Sequence, residues 1–163
     1  MLAGPLFLLI FGIIEVAMVF IVNTTLESAV TRGARTIRTG EHQTAQQGQA
    51  LNLSRQAFMD AVCDNMSFLS DHCRTHLSVD VRTPGAFSTA TLPDPVGADG
   101  SFNDAGLGFT PGGQQQIVLV RAYYRWPLIT PLLTETLSRL DGNVAVLTAT
   151  VAYRNEPFGT LAP

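Results

Sequence analysis

The chain contains no lysine; all 10 of its basic residues are arginine, among 163 residues in total. We read that bias as the mark of a GC-rich genome and assign no site to it. Charge is scarce altogether: 14% of residues are charged and the net charge is −3. Such a balance gives no case for a nucleic-acid partner. Catalytic signatures are missing too. No Gly-x-Ser-x-Gly elbow occurs, and no Gly-Lys-Ser/Thr follows any run of glycines. Asp94, Asp99 and Asp104 lack the spacing of a metal loop. The sequence therefore predicts a non-enzymatic protein with no catalytic residue, no cofactor, no bound metal and no small-molecule substrate.

What is abundant is apolar residues, at 46%, and they concentrate at the start. Leu2 to Val22 form an almost unbroken apolar run. About 20 such residues span a bilayer as a helix. Beyond Val22, apolar residues recur at spacings of three and four, so the helix is expected to continue as an amphipathic arm to about Gly40. At about 100° per residue, Leu8, Gly12, Glu15, Val22, Leu26, Ala29 and Gly33 fall on one stripe. Arg32, Arg35 and Arg38 point away from it. The stripe is the expected face for packing and assembly with other helices. A lone carboxylate at membrane depth costs a few kcal/mol and needs a partner. Glu15 either pairs with another subunit's terminus or side chain, or stays protonated and hydrogen-bonds a neighbouring helix.

Only two cysteines occur, Cys63 and Cys73. Outside the cytosol they can pair, which suits a small, loop-rich domain; inside it they stay reduced. No charge precedes the apolar run and arginines follow it, which by the positive-inside rule puts the domain in the cytoplasm. The two signals conflict. Cys63, His72, Cys73 and His76 also have the residue types of a zinc site. Cys63 stands alone on its helix, however, so a disulfide joining the end of the second helix to the start of the first strand is the simpler reading.

Past Gly40 a polar run reads as a hinge. Ala50, Leu53, Ala57, Phe58, Ala61, Val62, Met66 and Leu69 predict a second helix over 49–70, with 70–75 turning out of it. Strict alternation in HLSVDVRT predicts a half-buried strand. Residues 84–113 are dominated by Gly, Pro, Asp and Ser and form a long irregular loop, with Phe87, Phe102 and Phe109 able to pin it down. QQQIVLVRAYYRW is a second strand, closed by Pro127. Thr130-Pro131 starts a short amphipathic helix, and NVAVLTATVAYRN is a third, β-branched strand. The aromatics Tyr123, Tyr124 and Trp126 are read as core and sheet surface. The expected fold is α+β: a transmembrane helix with an amphipathic extension over 1–40, then a domain over 41–163 with a second helix and a three-stranded antiparallel sheet. The domain has roughly 120 residues, room for a modest core.

The opening AGPLFLLIFGIIEVAMVFIVNTTLESAVTRGAR resembles the N-terminal segment of TadE-like (TadE/TadG) minor pilins of the tight-adherence, or Flp, pilus. The matching features are Pro5, the element from Phe11 to Glu15, and the arm from Ala29 to Arg35. TATVAYRNEPF is similar to the closing strand and Arg-Asn-Glu-Pro segment of many members, here Arg154, Asn155, Glu156 and Pro157. A paired cysteine near the second helix is similar as well. The loop at 84–113 has no counterpart. The resemblance implies a minor pilin or pseudopilin-like assembly component. It would be anchored by a single pass in the bacterial inner membrane, with a periplasmic domain, and its partners would be the membrane and other pilin-type helices or assembly proteins. Family members usually begin with a basic segment, a prepilin-peptidase glycine and a Glu-Phe-Ala element. Met1 is therefore expected to lie inside a longer reading frame, whose basic segment would reverse the orientation that the positive-inside rule assigns. The competing reading is a membrane-tethered periplasmic sensor or ligand-binding protein whose 84–113 loop contacts the ligand. A tethered hydrolase is a third reading, without a motif behind it.

Overall fold

The computed structural model describes residues 3–39, 54–85, 92–130, 133 and 137–157. Its elements follow chain order: α1 (Ala3–Arg38), α2 (Arg55–Asp64), a 3-10 turn (Ser67–Leu69), α3 (Ser70–His76), β1 (Leu77–Arg82), β2 (Ile117–Pro127) and β3 (Val144–Arg154). The strands form one antiparallel sheet in the order β1-β2-β3. The α+β class expected from the sequence, a long N-terminal apolar helix followed by a second helix and a three-stranded antiparallel sheet, is the one observed.

The second half of α1 belongs to the core. Val22, Leu26, Ala29, Val30, Gly33, Ala34 and Ile37 are buried against Phe58 and Val62 of α2 and against the sheet face carrying Val79, Val81, Val118, Val120, Ala122, Tyr124 and Ala149. Each large apolar side chain so buried contributes about 1.5–3 kcal/mol. Detaching the arm would therefore dismantle the domain. Gly33 allows the closest approach: a Cβ there would lie 2.9 Å from Val62 Cγ2 and 3.4 Å from Phe58 Cε2. Ser54 caps α2, its side chain accepting from the Ala57 amide at 3.1 Å.

The single helix expected over 49–70 is two helices. Residues 49–53 lie outside those described. Helix α2 ends at Asp64, and Ser67 takes a positive φ of 52°. Residues 70–75, expected to turn, form α3 instead. Apolar periodicity does not reveal the break because Phe58, Val62, Met66 and Leu69 all remain buried across it. Cys63 and Cys73 are joined in a disulfide, with Cα atoms 5.4 Å apart. It links α2 to α3 across the break, not α2 to the first strand as expected.

β1 is not half-buried. Leu77, Val79 and Val81 face the helices as the alternation predicts, but Ser78 and Asp80 on the opposite face are buried as well. The loop expected to be the least structured part covers them. Its described residues carry no helix or strand beyond isolated bridges. At the β1 edge the Val81 amide donates to Gly108 O (2.9 Å) and the Thr110 amide to Val81 O (2.8 Å), occupying an edge otherwise open to pairing. Phe109 packs on Phe58, ring centroids 6.0 Å apart. Phe102 lies under the Arg125 guanidinium at 4.7 Å. Phe87 lies outside the described residues, as does most of the short helix expected after Thr130.

Candidate functional site

The first half of α1 leaves the domain and is apolar on nearly every side. Phe7, Phe11, Ile13 and Phe20 are each more than half exposed. The helix is long and apolar enough to cross a membrane. Of the stripe expected to meet a partner, Val22, Leu26, Ala29 and Gly33 are covered by the chain's own domain and are not open to another helix. Leu8 remains exposed, and a Cβ at Gly12 would meet nothing within 4 Å. The open part of the stripe thus shrinks to its N-terminal end.

Glu15 is the single polar interruption of that region, and the structure gives it partners within its own chain. The β2–β3 connection passes beside α1 there. The Ile129 amide donates to Glu15 Oε1, and the Thr130 amide donates to Oε2 at 2.8 Å. Glu15 is buried beneath them. The sequence predicts Thr130 as the cap of a short helix; its carbonyl accepts from Leu133 at 3.0 Å, while its amide, which a helix it caps does not use, serves Glu15. The sequence holds no signal for this contact, because 114 residues separate Glu15 from Ile129.

A second polar cluster lies on the outer face of the sheet. Asp80 and Arg121 are cross-strand neighbours, joined at 2.9 Å, with Asp80 only 1% exposed. Asp80 also accepts from Arg82 Nε (2.9 Å) and the Gly108 amide (2.7 Å). Arg121 and Arg82 in turn donate to Pro93 O and Gly106 O of the loop. Burial raises the Asp80 pKa, but the hydrogen bonds from Arg121, Gly108 and Arg82 outweigh it and hold the carboxyl below its usual range. The cluster straps the 84–113 loop to the sheet.

His72 and His76 stack in parallel, ring centroids 3.9 Å apart. His72 Nδ1 lies 2.6 Å from the buried Tyr124 hydroxyl. Burial, and then the nearby His76, lower the His72 pKa below the usual value; burial pushes Tyr124 up to about 12. The zinc constellation that the residue types allow does not assemble, because Cys63 and Cys73 are bonded to each other.

The C-terminal segment closes the domain. Arg154 Nε donates to Gln115 O (2.7 Å). Asn155 is buried; its amide nitrogen donates to Gln116 O, and its side chain donates to Pro111 O and Gly113 O. The Glu156 amide donates to Arg38 O, and its carboxylate pairs with Arg38 at 3.1 Å. Residues 154–156 therefore bind the end of α1 to the end of the long loop, a structural clamp and not a site of chemistry.

Residues 1–35 match the sequence model of the TadE-like protein family. No curated protein and no solved structure matches the chain. The matched stretch ends within the buried arm of α1, so it takes in the apolar run, Glu15 and Gly33 together.

Proposed function

We propose that this chain, with its TadE-like N-terminal segment, is a non-enzymatic minor pilin or pseudopilin-like component of tight-adherence (Flp) pilus assembly. In this reading α1 anchors it in the bacterial inner membrane by a single pass, and the α+β domain lies in the periplasm. The observation that carries the reading is the division of α1. One half is built into the domain and the other is bare and apolar, and the family match over residues 1–35 takes in the bare half and most of the buried one. An anchor alone needs only length and hydropathy. A pilin-type helix also needs a face on which another helix can close, and exposed Leu8 with Gly12, whose Cβ position has no atom within 4 Å, provides one. The disulfide supports the periplasmic placement, because an oxidising compartment is where such a bond persists.

The test is complementation of a deletion strain with a Gly12→Ile variant. A Cβ at Gly12 meets no atom of the chain within 4 Å, and the domain is built on the other half of α1, so the domain is expected to fold and the disulfide to form. Pilus assembly, or co-purification with the assembly machinery, is expected to fail. Normal piliation by a stably expressed Gly12→Ile protein would remove Gly12 from the partner face. Normal piliation in the deletion strain itself would remove the chain from the pathway.

A further inference from the structure

We propose that the β2–β3 connection is a second membrane-embedded element: Trp126 to Thr130, together with Leu133, lie in the hydrocarbon layer beside α1, with Glu15 as their internal hydrogen-bond acceptor. The inference rests on reading α1 as a membrane span. The apolar run ends at Val22, and Glu15 lies seven residues earlier, about 10 Å deeper at 1.5 Å per residue. Phe20 (68% exposed) and Ile21 (45%) lie between Glu15 and the domain and leave much of their surface uncovered by protein. Hydrocarbon that covers them also covers the level of Glu15. The connection reaches that level, since Ile129 and Thr130 donate to Glu15. It goes further as well, because Thr130 and Leu133 line a cleft with Pro5, Leu8, Gly12 and Val16.

The chemistry of the connection fits the depth. Ile129 is 88% exposed, and its neighbours are Pro127, Leu128 and Thr130. Trp126, Pro127 and Ile129 line a second cleft with Phe11, Ile14 and Met18 of α1, at the level of Glu15. In water the two amides would be hydrated and would need no carboxylate. In hydrocarbon an unsatisfied amide is costly, so non-helical backbone persists there only where protein covers and satisfies it. The Glu15 carboxylate satisfies both amides, and they solvate its charge in return. An intramembrane glutamate and an intruding loop thus account for each other.

Trp126 is the only tryptophan of the chain, so fluorescence quenching reads depth directly. The full chain is reconstituted in phosphatidylethanolamine–phosphatidylglycerol vesicles whose acyl chains carry bromine near their midpoint. Two single-tryptophan proteins are compared, Ile129→Trp and Ile13→Trp, each in a Trp126→Phe background; Trp126 in the unmodified chain gives a reading without substitution. The proposal expects brominated chains to quench Ile129→Trp strongly, as they quench Ile13→Trp, with Trp126 quenched too and aqueous acrylamide ineffective at both substituted sites. Quenching of Ile13→Trp alone would overturn the proposal and leave the membrane span intact. Quenching of neither would remove the span itself. Shielding of Ile129→Trp from both quenchers would assign that face to a second copy of the chain and overturn the lipid contact. Adding Glu15→Ala to the Ile129→Trp protein should abolish lipid quenching at 129 while Ile13→Trp keeps it. Unchanged quenching at 129 would overturn the role of Glu15.

Discussion

Asp80 shows how a single residue can decide the fate of a long loop. Three donors converge on it at 1% exposure, one of them the buried Arg121. Removing one partner of a buried ion pair leaves the other charge stranded, at about 3–5 kcal/mol. We expect Asp80→Asn to lower stability by that order, measured by urea denaturation of the disulfide-intact protein. The same variant has a pH signature. The Asp80 pKa is depressed in the folded chain, so its stabilisation is complete above the unfolded value of about 3.9 and is lost as pH falls through the folded value. The wild-type protein should lose stability on acidification below about pH 4 more steeply than Asp80→Asn. His72 acts in a higher window. Its lowered pKa means that the unfolded chain takes up a proton first, as pH falls through about 6.5. Thermal stability should therefore decline as pH falls through about 6.5, and less so in His72→Gln.

Among elements, the pair α2–α3 and the arm of α1 carry the clearest expectations. The disulfide closes a short loop, with a sequence separation of 10. The chain-entropy account gives about 2–3 kcal/mol for a ring of that size. A Cys63→Ala, Cys73→Ala double variant should lose about that much in denaturation while keeping its secondary structure by circular dichroism. Gly33→Val forces a branched side chain into contact with Val62 and Phe58. Overpacking of this kind costs about 1–3 kcal/mol, which a lowered denaturation midpoint would register.

These elements also show what the sequence can and cannot carry. Strand alternation places Val79, Val120 and Ala122 on the inner face because period two is local. The buried arm of α1 is visible as a stripe for the same reason. The partner of that stripe is not, since a stripe shows where a helix is apolar and not whether the chain itself or another chain covers it. The break at Ser67 is hidden because the apolar spacing runs through it. Asp80–Arg121 and Glu15–Ile129 are tertiary contacts between distant segments, and no local pattern encodes their register.

Taken whole, the molecule is a helix with two environments and a small domain folded around one of them. The 154–156 clamp and the loop strap both act on that domain, while the matched TadE-like segment runs through both environments. The domain's job in this account is to fix the bare half of α1 in place and to lay the β2–β3 connection beside it. The most direct measurement is site-specific photocross-linking from Leu8 in cells that express the tight-adherence machinery. A photoreactive residue at Leu8 is expected to yield an adduct with another pilin-type protein, lost in the Gly12→Ile variant. A stable, membrane-inserted protein that forms no protein adduct from Leu8 would contradict the assembly-helix account.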